Sequence, residues 1–252
     1  MPQRYSLQLL TDRLEKGEKP RFLFFWGHTN KQNDPAGKFC FSQWYPAAFT
    51  VDGVEYKTAE HWMMAQKAFL FDDIACFDKI VQCKSPAEAK EIGGVVAGFD
   101  EQVWCEKRFE LVKLGNIHKF NQHPAFAQYL LSTGDELIAE ASPTDNIWGT
   151  GLAETHEEAH NIYRWGLNLL GFALMEVRDF LREFGHFNAL ENEVVPPWKK
   201  YPGIDPLDMF WRMGEGEIHI IETTRYWEEL NERERIIYAL THPEPPGWDY
   251  FY

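Results

Sequence analysis

The chain has 252 residues, 44 % hydrophobic and 15 % aromatic with 10 Trp, enough for one large domain, or a domain with an extension, around a real core. A net charge of −14 argues against broad nucleic-acid binding, which needs a basic footprint, but allows a small phosphorylated ligand held by a few local donors. No apolar run of 18 residues is present, the charged N-terminus lacks the apolar core of a signal peptide, and the cysteines (Cys40, Cys76, Cys83, Cys105) lack C-x-x-C spacing, so neither a membrane helix, a zinc site nor a disulfide framework is implied and a cytoplasmic setting is expected.

In chain order, Leu7, Leu10 and Leu14 stand at helical spacing and predict a short amphipathic helix over 5–16. Phe22-Leu-Phe-Phe-Trp26 reads as a buried strand ending at Gly27. Phe49 to Tyr56 reads as a hairpin, because Asp52-Gly53 is a preferred two-residue turn between alternating strands. Thr58 caps the next helix. Ser85-Pro86-Ala87-Glu88 is a capping box that opens a helix ending near Gly93-Gly94. Asp100 caps a long helix through about Phe120, and Pro124 starts another through Leu131. A loop holds Ser142 to Gly151. A long apolar helix is expected from about Glu157 to Phe184, its Gly166 and Gly171 letting another backbone or a ligand come close.

Beyond His186 the composition shifts. Glu191 to Pro206 reads as a linker. Ile218-His-Ile-Ile221 looks like a strand, and Thr224–Leu240 like a charged helix. Residues 176–252 hold 16 acidic against 8 basic side chains. The expected organisation is an N-terminal helix over 1–20, a domain over 21–185, and a linker with an acidic, aromatic extension over 186–252. The aromatics of that extension, Trp211, Trp227, Trp248 and Tyr250 among them, either pack back or bind a partner; so many rarely stay exposed.

The chemistry is sought first in Thr58-Ala-Glu-His-Trp-Met-Met-Ala-Gln-Lys67. Glu60 and Lys67, seven residues apart, fall on nearly the same helix face, about two turns or roughly 10 Å along the axis. A first-turn glutamate ordinarily complements the helix dipole, and a lysine at a helix end ordinarily snorkels. Here the apolar neighbours Trp62, Met63 and Met64 make the helix mostly buried, so Glu60 is expected to face a cavity or a partner, and the i, i+7 pairing favours a joint role with Lys67. The second segment is Asp145-Asn-Ile-Trp-Gly-Thr-Gly151. It is a simple turn with a core Trp148, or a ligand loop in which Trp148 stacks on a flat ring and Asp145 orients a hydroxyl or water, with Gly149 allowing close approach. Trp26 and Trp44, beside polar neighbours, could complete an aromatic slot. His156-Glu157-Glu158-Ala159-His160 matches the H-E-x-x-H zinc motif, but it sits on a polar helix start and lacks a third ligand: Gly166 stands where the third His belongs. Neither a metal nor a cofactor is expected.

Taken together, Phe24-Phe-Trp26, Phe41-Ser-Gln-Trp-Tyr-Pro46, Tyr56 to Lys67, Ser85 to Gly93, Lys119-Phe-Asn-Gln122, Asp145 to Leu152 and Trp165 to Arg178 resemble, in order, the NADAR (YbiA-like) family. The resemblance implies an α+β, mainly helical, compact multi-helix domain with a small β hairpin or sheet element. It also implies cleavage of an N-glycosidic bond, in a phosphoribosylamino-pyrimidine intermediate of riboflavin synthesis or in ADP-ribosylated guanine. The catalytic residues carried over are Glu60, Lys67 and Asp145. Substrate contacts are expected from Trp26, Ser42, Trp44, His61, Trp148 and Gly149. Two departures stand out. Gln43 and Trp44 replace the family's Asn and Phe. Gly94 replaces an Arg, which either moves a phosphate contact to Lys90 or another basic residue or disfavours phosphate-rich substrates.

Cleaving C1′–N builds positive charge on the ribose, so a carboxylate such as Glu60 would stabilise it or activate water. Lys67 would bind phosphate or protonate the leaving group if charged, or attack C1′ and form an imine if neutral. The alternative class is a module that binds ADP-ribose or a related nucleotide without cleaving it. Partners are otherwise restricted to a small nucleotide-like substrate, with no membrane.

Overall fold

The computed structural model describes residues 3–245, 247, 248 and 251. In its described residues the chain forms two compact units: Met1–Thr50 with Val54–Gly185, and Val51–Gly53 with His186–Tyr252.

The first unit begins with α1 (Leu7–Glu15), capped by the Ser6 hydroxyl. Strand β1 (Phe22–Phe25) follows, then a 3-10 turn at Lys38–Phe41. Strands β2 (Phe49–Val51) and β3 (Val54–Tyr56) form the expected hairpin. Asp52 and Gly53 have φ of 55° and 73°, as this tight turn requires. Thr58 caps α2 (Ala59–Leu70) through its hydroxyl. Helix α3 (Ile74–Gln82), capped by Asp73, was not anticipated. Helices α4 (Pro86–Gly93), α5 (Glu101–Gln122) and α6 (Pro124–Ser132) start at the expected caps and prolines. The unit closes with strand β4 (Leu137–Glu140) and helix α7 (Leu169–Glu183).

Helix α2 packs on α3, α4 and α5, while α5 and β4 pack on α7. Trp62 of α2 is fully buried, and its indole donates to Leu111 O at 2.8 Å. Gly115 of α5 lies against that ring and has no room for a Cβ. The buried Arg178 guanidinium closes the turn into β4, donating to Thr133 Oγ1 and Glu136 O, both at 2.8 Å. Strand β4 pairs in parallel with β1, Phe22 opposite Leu137 and Phe25 opposite Glu140. Both chains therefore leave the sheet at the same end.

The long helix expected from Glu157 is shorter. Residues 154–161 are turns, Ile162–Arg164 is a single 3-10 turn, and the helix begins at Leu169. The reason is non-local. The backbone N–H groups of residues 166–170 donate to the carbonyls of Thr150, Asn146, Gly149, Ile147 and Trp148 in turn, at 2.7–3.1 Å. A helix would forfeit those bonds. Gly166 lies against the Asn146 backbone and Gly171 against Ile138 O, the close approaches expected of these glycines. The zinc-like motif thus lies in turns, not at a helix start. His160 packs edge-on against Phe22 and Phe24, and His156 Nδ1 accepts from Glu158 N.

In the second unit, the linker contains a short helix α8 (Pro197–Lys200). The expected strand at Ile218–Ile221 is instead part of helix α9 (Gly214–Glu229). The expected single charged helix is broken at Leu230. A new helix α10 (Glu232–Thr241) begins there because Asn231 and Glu234 form a capping box. β-branched residues favour strands only weakly, and here the helical context prevails. His219 accordingly faces inward from α9, its Nε2 3.0 Å from Val195 O. Trp211, Trp198, Trp248 and Phe251 pack on one another at ring distances of 5.0–5.8 Å. Trp227 packs on Tyr238, whose hydroxyl donates to Val194 O at 2.6 Å. Tyr250 lies outside the described residues.

Among the described residues no helix is long and apolar enough to cross a membrane. None of their His, Cys, Asp or Glu side chains gather in a group able to hold a metal ion.

Candidate active site

A cavity of about 150 Å³ in the first unit is lined by Glu60, Met63, Met64 and Lys67 of α2, by Ser42–Trp44, and by Lys90, Trp104, Glu140, Asp145, Trp148 and Leu170. A void of this size accepts one ring rather than a whole nucleotide. A sugar would fit inside, leaving its substituents to the open side.

Glu60 projects from the first turn of α2. Its backbone N–H donates to Gln43 O at 3.0 Å. Glu60 is 3 % exposed, and its Oε1 has no hydrogen-bond partner. Burial pushes this acid up to about 7, against the pull of Lys90 and a hydrogen bond with the Trp44 side chain, while Asp145 adds to the rise. An unpartnered, buried oxygen is expensive to maintain, and it belongs to a residue that lines the cavity.

The Ser42–Trp44 segment is held from below by α5. The fully buried Lys119 amine donates to Ser42 O at 2.9 Å, and burial pulls it down to about 8. Gln43 Nε2 donates to Asn116 Oδ1 at 3.1 Å, and Asn116 in turn donates to Val112 O. The Gln43 departure is thus built into the support of Trp44, which reaches Glu60.

On the same helix, the Lys67 amine donates to Gly93 O at 2.9 Å and sits over the Phe99 ring, 4.1 Å from its centroid. Both are contacts of a cation. Burial nevertheless lowers its affinity for the proton. Lys90 supplies the second amine of the wall.

The opposite wall is the 145–151 loop. Asp145 Oδ1 accepts from Ile147 N at 2.9 Å and Trp148 N at 2.8 Å, and Asp145 O accepts from Gly151 N at 2.9 Å. Trp148 is thereby fixed against the cavity. Glu140, which sequence reasoning missed, lines the same cavity. Burial, with Asp145 and Glu60 nearby, pushes its carboxyl up to about 7 as well, opposed by Lys90.

Of the residues singled out from sequence, the cavity brings together Glu60, Lys67, Asp145, Ser42, Trp44 and Trp148. It does not bring in Trp26, His61 or Gly149. Trp26 is 65 % exposed and borders an open depression with Lys31 and Lys38. His61 is fully buried, its Nδ1 2.8 Å from the Thr58 hydroxyl. Gly149 supports the loop: a Cβ there would stand 2.7 Å from Glu140 O.

Residues 24–182 match the NADAR domain. The chain belongs to the NADAR family. It is 42 % identical over 170 residues to N-glycosidase R617 of Acanthamoeba polyphaga mimivirus, covering 64 % of this chain and 97 % of that protein. It is 29 % identical to N-glycosidase YbiA of Escherichia coli, over 59 % of this chain and 84 % of that one. A riboflavin biosynthesis protein of Vibrio vulnificus, VVA0006, is 31 % identical over 60 % of this chain and 37 % of its own length. The fold is that of the NMR structure of E. coli YbiA, with a TM-score of 0.53 at 24 % identity, over 68 % of this chain and 92 % of that one.

Proposed function

We propose that this NADAR protein is an N-glycosidase that hydrolyses a ribosyl–nitrogen bond of a small nucleotide-like substrate, with Glu60 acting at C1′. The observation that carries this reading is the buried Glu60 carboxyl, one oxygen unpartnered, facing a ring-sized cavity walled by Trp44, Trp104 and Trp148. The N-glycosidase names of its relatives support the reaction class. The riboflavin-biosynthesis names of two others favour a phosphoribosylamino-pyrimidine over ADP-ribosylated guanine.

In this reading the ribose enters the cavity and the base leans on Trp148 and Trp44. As the C1′–N bond breaks, its electron pair passes to nitrogen, which takes up a proton. Ionised Glu60 faces the positive charge growing at C1′ and accepts a proton from the water that adds there. The Trp44 hydrogen bond and Lys90 favour that ionised form. Lys67 and Lys90 are the cations available to a phosphate.

A second reading follows from the burial that weakens Lys67 as a base. Neutral, its amine adds to C1′ of a ring-opened ribosylamine and expels the amino-pyrimidine. Water then hydrolyses the resulting imine and frees the sugar. Borohydride separates the two readings: a trapped adduct on Lys67 requires the imine, and turnover without an adduct excludes it.

The test of the reaction itself is incubation with a phosphoribosylamino-pyrimidine and with ADP-ribosylated guanosine. Release of the sugar from either supports the proposal. Tight binding of both without product makes the protein a nucleotide-binding module.

A further inference from the structure

We propose that Glu140 is a second catalytic residue of this cavity, the acid that protonates the departing nitrogen, and that Asp145 is a positioning residue. The proposal deepens the N-glycosidase reading and rests on it.

The geometry separates the two carboxyl groups. Asp145 uses Oδ1 to hold the Ile147 and Trp148 N–H groups and its carbonyl to hold Gly151, so its bonds shape the loop. Glu140 is the last residue of β4, and only its main chain is occupied. Its N–H donates to Asn168 Oδ1 at 3.0 Å, and its carbonyl accepts from Thr150 N at 2.8 Å. Asn168 also donates to Ile138 O at 3.0 Å and adopts a left-handed φ of 48°. A left-handed asparagine costs strain unless the surroundings hold it. Here it fastens the end of β4, so the Glu140 side chain issues from a fixed backbone into the cavity that also holds Glu60.

Two carboxyls in one cavity cannot both ionise cheaply. The charged groups lining this one are Glu60, Glu140, Asp145, Lys67 and Lys90. Glu60 has the Trp44 hydrogen bond for its ionised form, while Glu140 feels the negative charge of both Asp145 and Glu60. With Trp44 bonded to Glu60, the proton of the pair is assigned to Glu140. During the reaction it moves to the leaving nitrogen, which takes the C1′–N electron pair. Water adds to C1′ and gives its proton to Glu60, and that proton returns to Glu140 for the next turnover. Water is the only other reactant consumed.

Sensitivity to the leaving group tests the assignment. Wild type, Glu140→Gln, Glu60→Gln and Asp145→Asn are assayed on the phosphoribosylamino-pyrimidine and on p-nitrophenyl β-riboside, whose leaving group needs no proton. Thermal melting confirms that each variant folds. Glu140→Gln is expected to lose about 10²–10⁴-fold in kcat on the amino-pyrimidine but less than about tenfold on the nitrophenyl riboside. Glu60→Gln loses on both. Wild-type kcat/KM falls above about pH 7 as the acid ionises, and this limb is absent in Glu140→Gln. Asp145→Asn keeps an oxygen for the two N–H groups and loses at least tenfold less than Glu140→Gln. Equal losses on both substrates, or wild-type rates in Glu140→Gln, overturn the role of Glu140. A wild type inactive on both of these substrates and on ADP-ribosylated guanosine overturns the N-glycosidase reading itself, and this proposal with it.

Discussion

The two walls of the cavity treat their polar groups in opposite ways. On the loop wall, residues 145–151 are tied by Asp145 and by the five N–H groups of residues 166–170. On the α2 wall, Glu60 is buried with an oxygen left unpartnered. The loop is stabilised by its bonds, whereas the helix carries an acid that costs stability once ionised. Unsatisfied polarity of this kind persists where it has a use, and under the proposed function the contrast separates residues that build the site from residues that act in it.

The largest expected effect comes from the acting wall. Glu60→Gln keeps the shape and removes the charge, and should lower kcat by about 10³-fold, measured as sugar release. The same variant sharpens the contrast in stability. Glu60 is near 7 in the folded protein against 4.5 when free. Between those values the folded state holds a proton that the unfolded state has lost, so wild-type stability falls as pH rises through the window. Glu60→Gln does not titrate. It should match wild type below about pH 4.5 and exceed it at pH 8 by on the order of 3 kcal/mol, read from urea unfolding.

Breaking the building wall should cost stability first. A Cβ at Gly166 would be driven into the Asn146 backbone. Gly166→Ala should therefore destabilise the protein by about 1–3 kcal/mol and loosen Trp148, seen as altered tryptophan fluorescence. Asp145→Ala removes the acceptor of two loop N–H groups and should cost about 1 kcal/mol, against little for Asp145→Asn. An Asp145→Ala protein as stable as wild type would erase the distinction between the walls.

The acting wall was legible in the sequence because its signals are local. Thr58 caps α2, and the cap fixes which residues fall in the first turn, so Glu60 and Lys67 could be paired by counting. The building wall was half legible. Asp145-Asn and the glycines announced a turn, but its partner, residues 166–170, looked like part of an apolar helix. Only pairing across some 20 residues holds Gly166–Asn168 out of the helix and delays its start to Leu169. Glu140 was hidden for the same reason. Leu137-Ile-Ala-Glu140 is too short to declare itself a strand, and its pairing with Phe22–Phe25 bridges more than 100 residues. The tryptophans divided in a way composition could not foresee: Trp44, Trp104 and Trp148 line the cavity, Trp62 fills the core, and Trp26 stands in the open.

Glu60 is proposed to act on the ribosyl carbon instead of merely lining its pocket. The most direct measurement of this role is the rate at which wild type and Glu60→Gln free the pyrimidine from a phosphoribosylamino-pyrimidine at saturating substrate, followed by chromatography. If Glu60 acts at C1′, wild type turns over and the variant drops by about 10³-fold with substrate still bound. Release by Glu60→Gln at the wild-type rate would contradict that role.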